Sequence, residues 1–276
     1  MSDRQTYIHG YSSPEHARLI EQARMLAPTV FTGLDLAPDR RLLEIGCGVG
    51  AQTRHLLNRW PRLTIDSIDL SEEQLAAAGD YLREDVDTGR VRLARMNAEE
   101  LRFSDNLFDA VLTIWVLEHA PEPGRILREA WRVLRPGGRI LLTEVDNATF
   151  RFYPHNPVVQ QWWDAFNRFQ QHGGADPFIG QRIAALADRT GFERIRTDPL
   201  HAISSRREPH RRLELLRYCR DLLLSGSWSL KRAGWVKEEL EQKMRKEFET
   251  LESRLDVDFE YFAVRLTAFK PVDDRP

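Results

Sequence analysis

Apolar residues fall into short runs that alternate with segments of helical spacing, and this alternation predicts the fold. Ser12 or Ser13, with Pro14 and Glu15, opens a helix over 14–28 whose apolar positions Ile20, Ala23, Leu26 and Ala27 share one face. Past Pro38, strand 41–46 leads to helix 51–59, which ends before Pro61, and strand 63–68 follows. Ser71 caps a helix running to about Asp85, with Leu75, Ala78 and Leu82 on its apolar face. Strands 90–95, 108–114 and 138–145 surround helix 123–134, and Pro136-Gly137-Gly138 turns the chain into the last of them. Such an order predicts parallel strands joined by right-handed crossovers.

Beyond residue 146 the pattern changes, and Phe150, Phe152, Tyr153, Trp162, Trp163, Phe166, Phe169 and Phe178 crowd one segment. Helices 157–171 and 179–190 flank the loop Gly173-Gly174-Ala175-Asp176-Pro177. A strand near 192–198, helices at about 209–224 and 233–254, and an alternating strand at 258–269 complete the chain. Trp162, Phe166 and Phe169 recur at i, i+4 and i+7, so one helix face is aromatic and serves either as core or as the lining of a pocket.

One junction carries chemistry. The strand Arg41-Leu42-Leu43-Glu44-Ile45 runs into Gly46-Cys47-Gly48-Val49-Gly50, and the next apolar run ends at Asp69. Glycines at alternate positions let backbone N–H groups approach a ligand closely. The spacing Gly46-x-Gly48-x-x-Ala51, with an acidic residue 23 positions after Gly46, also satisfies the fingerprint of a dinucleotide site. Glu44 argues the other way, because a carboxylate beside the turn repels a pyrophosphate and suits a ligand bearing an ammonium or a sulfonium. On its own, Glu44 is equally a helix-capping carboxylate.

The ordered segments 42-LLEIGCGVG-50, 65-IDSIDLS-71, 96-MNAEELRF-103, 107-LFDAVLTIWVLEH-119 and 133-VLRPGGRILLTE-144 resemble the class I S-adenosylmethionine-dependent methyltransferases. The likeness is to the group containing the ubiquinone/menaquinone-biosynthesis-type and many natural-product enzymes, and it is strong over about residues 40–146. It implies a Rossmann-like, doubly wound seven-stranded α/β sheet with an antiparallel last strand. An N-terminal arm and helix (1–30), a cofactor-binding core (31–148) and substrate-side helices with the final strands (149–276) follow from it. Residues 200–256 then form a helical insertion between the sixth and seventh strands.

The resemblance implies S-adenosyl-L-methionine as cofactor. Glu44, Gly46, Cys47 and Gly48 would form the turn beneath it, and Asp69 would accept both ribose hydroxyls, which a lone amide cannot do without presenting a donor. Leu70 and Gln74 would wall the adenine. Asn97, Ala98 and Glu99 fall where the family most often has Asp-Ala. The Asn97 amide oxygen can still accept from the adenine amino group, although an Asn before a short helix is commonly just a cap. Ile114, Trp115 and His119 would face the methyl donor. His119 is a candidate general base, or else it orients cofactor or substrate. Tyr7 and Tyr11 would fold over the cofactor as a lid or pack as anchors on the sheet.

Composition narrows the acceptor. Lys and Arg number 40 against 42 Asp and Glu, so no global basic field draws nucleic acid, and the Asn/Asp-Pro-Pro-aromatic motif of base-modifying enzymes is absent. A small-molecule acceptor is expected, methylated on O, N or C. No apolar stretch spans a bilayer and MSDRQTYIHG lacks a signal-peptide core, so the cytosol is the expected compartment, without membrane association. The two cysteines and the scattered His155, His172 and His201 lack metal-ligand spacing. The basic run 206-RREPHRR-212, with Arg217 and Arg220, is either a solvated helix face or a receiver of substrate anions. Two other readings stay open: an NAD(P)-dependent oxidoreductase on the same turn, and a non-catalytic S-adenosylmethionine-binding regulator. Oligomeric state is not legible.

Overall fold

The alternation read from the first half of the chain is realised in the computed structural model, which describes residues 13–204 and 207–272. Helix α1 (Ser13–Val30) precedes β1 (Arg41–Ile45), α2 (Ala51–Arg59), β2 (Thr64–Asp69), α3 (Glu72–Tyr81), α4 (Arg83–Asp87) and β3 (Val91–Arg95). Then come β4 (Phe108–Ile114), α5 (Pro123–Val133), β5 (Leu134–Val145), β6 (Arg151–Tyr153), α6 (Pro157–His172), α7 (Ile183–Thr190) and β7 (Glu193–Ser204). Helices α8 (Pro209–Ser225), α9 (Ser227–Arg232) and α10 (Glu238–Ser253) lead to β8 (Asp258–Phe269).

Strands β3, β2, β1, β4 and β5 lie side by side in that order and parallel. The reversal of order at β1 and β4 places a crevice at their carboxyl ends, where ligands of open α/β sheets bind. β8 runs antiparallel and is the hub of the other half. One edge pairs β5 through residues 263–269 and β6 through 258–260, while the other edge pairs β7. The sheet therefore has eight strands among the described residues. The one beyond the expected seven is the three-residue β6, which a short aromatic stretch does not distinguish from loop.

Three longer helices expected from periodicity are each divided. Leu82 leaves helical geometry between α3 and α4 (φ −107°, ψ 17°), so that its fully buried side chain packs beside Gly50. Gly234, with φ 76°, separates α9 from α10. A 3-10 turn at Ile179–Gln181 precedes α7, with Arg182 between them outside the helical range.

Parallel strands covered on both faces read as continuous apolar runs, and Leu42, Leu43 and Ile45 of β1 are all buried. Leu43, Ile45, Val111, Ile140 and Leu142 pack with Ile126, Leu127 and Ala130 of α5 and Ile183 of α7. Leu42, Ile65, Leu112 and Leu141 pack with Leu26 and Val30 of α1 and Leu56 of α2. A third apolar cluster lies within the later segments, where Trp162, Trp163, Phe166, Leu216, Met244, Phe248 and Phe259 pack together. The aromatic face of α6 is thus core: Trp162 is fully buried and its Nε1 donates to the Leu223 carbonyl at 3.1 Å. Of the expected trio, Phe169 alone is half-buried at the edge.

Candidate active site

β1 ends in a turn tied to β2, since the N–H groups of Gly46 and Cys47 both donate to the Ile68 carbonyl (2.8 and 3.0 Å). Its three glycines do different work. Gly46 (φ 72°) leaves room for Val116, whose Cγ2 lies 2.5 Å from where a Cβ would sit. Gly50 (φ 77°), at the start of α2, makes the same allowance for Leu82, at 2.6 Å. Gly48 (φ 53°) faces open space, its only near neighbour being Gln74 Oε1 at 3.9 Å. A ligand therefore has access to the turn at Gly48.

Asp69 braces that access. Its Oδ2 accepts from the Gly48 N–H and its Oδ1 from the Ser71 N–H, both at 2.9 Å, and each oxygen keeps lone-pair capacity. Burial raises its pKa, and those N–H groups offset part of the rise. Gln74, buried on α3, turns to this same turn; its Oε1 has no partner. It is not among the residues lining the adjacent depression, where the sequence placed it against adenine. That depression, of about 400 Å³, is lined by Leu70, Arg95, Met96, Asn97, Glu100 and Arg102. Leu70 stands 63 % exposed at its rim. Asn97 Oδ1 accepts from the Glu99 N–H at 3.0 Å, the capping arrangement that the sequence also allowed. Ala98 is partly buried against the core, and Glu99 lies 3.4 Å from Arg125.

Glu44 points into the fold. Its Oε2 accepts from the hydroxyls of Thr53 (2.6 Å) and Ser67 (2.8 Å), joining β1 to α2 and β2, and burial raises its pKa. Its charge still reaches the turn: burial, then Glu44 and Asp69, hold the Cys47 thiol well above its ordinary range. Cys47 is therefore no nucleophile at neutral pH.

The carboxyl end of β4 forms the facing wall. Ile114 and Trp115 are half-buried, and the Trp115 N–H donates to the Thr143 carbonyl at 2.8 Å. Trp115 has φ 56°, a conformation that strains a bulky residue and is found chiefly where surroundings enforce it. The enforcing group is Glu144, which the sequence reading did not single out. Fully buried, it accepts from the Thr113 hydroxyl (3.0 Å), the Leu117 N–H (3.2 Å) and the Val116 N–H (3.4 Å). Burial, and next Glu118, push its pKa up to about 8. The available signal was a carboxylate closing an otherwise apolar buried strand.

The 3-10 turn Leu117–His119 ends this wall. Glu118 is buried, hydrogen-bonded by the Gln170 amide, and burial pushes its pKa up to about 8. Its carbonyl accepts from the Asp176 N–H at 2.8 Å. His119 Nε2 is 3.7 Å from Glu118 Oε1, and desolvation lowers its pKa to about 4. At neutral pH this is therefore a neutral imidazole beside a largely protonated carboxyl, not an ion pair. Tyr7 and Tyr11, the expected lid residues, lie outside the described residues.

The basic run does not reach this site. Arg217 and Arg220 pair with Glu252 of α10 (3.3 and 2.6 Å), and Arg212 is buried, donating to the Leu251 carbonyl at 2.8 Å. No group of three metal-ligating side chains occurs among the described residues, and no helix among them is long and apolar enough to cross a membrane.

Comparison with known proteins agrees with this geometry. Residues 43–142 match the family model described as a methyltransferase domain. The chain carries a methyltransferase domain. Its matched span opens in β1 and closes in β5, enclosing the glycine turn, Asp69, Asn97 and His119 but not Glu144 or the later helices. Over 135 residues, 49 % of each chain, it is 37 % identical to 27-O-demethylrifamycin SV methyltransferase of Amycolatopsis mediterranei. Over 169 residues, 59 % of each chain, it is 30 % identical to the ubiquinone/menaquinone biosynthesis C-methyltransferase UbiE of Vibrio cholerae. The chain thus spans about half the length of the curated relatives it matches. Its fold is shared with phosphoethanolamine N-methyltransferase 2 of Haemonchus contortus, solved with phosphomonomethylethanolamine and S-adenosylhomocysteine. The TM-score is 0.57 at 22 % identity, covering 90 % of this chain and 53 % of that one.

Proposed function

We propose that this chain binds S-adenosylmethionine across the carboxyl ends of β1, β2 and β4 and methylates a small molecule on O, N or C. The core over 31–148 takes the cofactor, and the segments over 149–276 complete the acceptor side. The observation carrying this reading is the turn at Gly48. It is open to a ligand, it lies in the field of Glu44 and Asp69, and it holds no basic residue from Gly46 to Gly50. A negative field of this kind suits a sulfonium and an α-ammonium and opposes a diphosphate.

The residues fit that cofactor. Asp69 offers acceptor capacity to ribose hydroxyls, and the orphaned Gln74 oxygen offers an acceptor beside the turn. Leu70 presents an apolar surface at the rim of a depression wide enough for a purine. When bound, the cofactor supplies a methyl group on a positively charged sulfur, already an able leaving group. The acceptor atom provides the electron pair of the new bond to carbon, while the S–CH3 pair stays on sulfur. The protein's work is alignment and exclusion of water. Glu144 fixes the turn after β4, and with it Trp115 and His119. His119, neutral at physiological pH, can accept the proton of a hydroxyl acceptor or orient it by a hydrogen bond.

Calorimetry tests the reading directly. S-adenosylhomocysteine should bind and raise the melting temperature, and NADH and NADPH should do neither. Binding of a nicotinamide cofactor with indifference to S-adenosylhomocysteine would reverse the assignment.

A further inference from the structure

Beside His119 a set of polar side chains converges from separate elements, and the cofactor reading makes no use of it. Glu118 follows β4, Gln170 lies on α6, Tyr218 on α8 and Tyr261 on β8. Gln170 hydrogen-bonds Glu118 through its amide N–H, yet its own Oε1 is buried without a partner. Gln170 itself is only 6 % exposed. A buried carbonyl oxygen left unpaired costs about 1–3 kcal/mol, so its retention calls for a partner that is not part of the fold. Tyr261 donates its hydroxyl proton to Asn147 Oδ1 at 2.6 Å, which leaves its oxygen able to accept.

These groups line a recess. His119, Tyr218 and Tyr261 lie deep enough for desolvation to shift all three in the direction of their neutral forms. All three nevertheless keep accessible surface, the His119 side chain 35 % of it. Side chains enclosed by protein yet not touched on every side border an internal space.

The charges that the recess feels are already matched. Tyr218 senses Arg18, Glu15 and Glu118, and Tyr261 senses Glu118 and Asp146. Arg18 is held by both oxygens of Glu15 (2.6 and 2.7 Å) and by Gln22 (2.8 Å). Asp176, which Glu118 also senses, is bonded by Arg182. A phosphate or carboxylate entering here would meet only a cation already engaged by a carboxylate. An ammonium would meet phenols and a Glu118 carboxyl held largely protonated.

Resting on the methyl-transfer reading, we infer that the acceptor is an uncharged, hydroxyl-bearing molecule that donates to Gln170 Oε1 and is flanked by the phenols of Tyr218 and Tyr261. Gln170, Tyr218 and Tyr261 are thus acceptor-binding residues, separate from the cofactor turn.

The test uses the full chain saturated with S-adenosylhomocysteine and four small probes: hydroquinone, 4-hydroxybenzoate, tyramine and phosphoethanolamine. Titration by calorimetry or ligand-observed NMR should show hydroquinone binding about tenfold more tightly than each charged probe. Gln170→Leu and Tyr261→Phe should each weaken hydroquinone several-fold and leave S-adenosylhomocysteine affinity unchanged. Because Tyr261→Phe only removes one hydroxyl, it serves if Gln170→Leu does not fold. Equal or tighter binding of a charged probe overturns the inference. So does unaltered hydroquinone affinity in both variants, or no probe binding at millimolar concentration while S-adenosylhomocysteine binds. Failure of S-adenosylhomocysteine itself to bind would instead sink the cofactor reading.

Discussion

Around the glycine turn, the groups that meet a ligand come from a short span of chain, from Glu44 to Gln74, and much of the contact surface is backbone. On the acceptor side, the corresponding groups come from residues 118, 170, 218 and 261, each on a different element, and all of them are side chains. The first arrangement recurs because one turn geometry and one braced carboxylate suffice to build it. The second is assembled by tertiary packing alone, so its chemistry can change without altering the strand–turn–helix that supports the first. Cofactor and acceptor sites are accordingly separable, and mutation can pull them apart.

The hardest blow to that separation falls on the cover. Trp162→Ala should cost about 3–5 kcal/mol in urea unfolding, because it empties a fully buried position among α6, α8 and α10. Folded Trp162→Ala protein should still bind S-adenosylhomocysteine within about twofold of the parent, a difference of ~0.4 kcal/mol. A large loss of affinity would mean that the two halves act as one. Next comes Asp69→Ala, expected to weaken S-adenosylhomocysteine binding by about 2–4 kcal/mol in calorimetry, since two ribose hydrogen bonds and the brace on Gly48 go together. Unchanged affinity would remove Asp69 from the site.

The glycines sharpen the comparison within the turn itself. Gly46→Ala forces a Cβ against Val116 and should destabilise the fold by about 1–3 kcal/mol. Gly48→Ala meets no neighbour closer than 3.9 Å, so its stability cost is limited to left-handed strain of about 1–2 kcal/mol, while ligand affinity falls further. Differential scanning calorimetry with and without S-adenosylhomocysteine distinguishes the two.

The smallest effect is one of pH. The folded-state pKa of Glu118, about 8, stands above its ordinary 4.5, so the folded chain keeps a proton that the unfolded chain releases. Stability should decline as pH rises from about 4.5 to about 8 and level off beyond. Glu118→Gln should flatten part of that decline in melting temperature, and a profile identical to the parent's would show that Glu118 ionises freely in the fold. His119 works in the opposite sense, its lowered pKa removing stability as pH falls from 6.5 toward 4.

The sequence was legible where local rules decide. β4 and β8 fall at 108–114 and 258–269 as their patterns predict, and the first glycine turn lies where a strand gives way to helix. It was less legible where a distant partner decides. Leu82 breaks a helix because Gly50 offers it a berth, a contact with no trace in helical periodicity. Glu44 was placed beside the ligand by its charge, but Thr53 and Ser67 draw its carboxylate inward. The α6 aromatics could line a pocket or fill a core by spacing alone, and only the helices packed over them show that they fill the core. Glu144 and Gln170 carried no motif, since their importance lies in which backbone groups and side chains they meet across the fold.

The place of β8 between β5 and β7 has a kinetic consequence. Two ladders and the short β6 pairing all wait on Asp258–Phe269, which emerges from the ribosome long after β5. Until then the nascent sheet exposes β5 as an open edge, able to recruit strands from other chains. Refolding should accordingly be slow and best at low protein concentration, because closure depends on contacts far apart along the polypeptide.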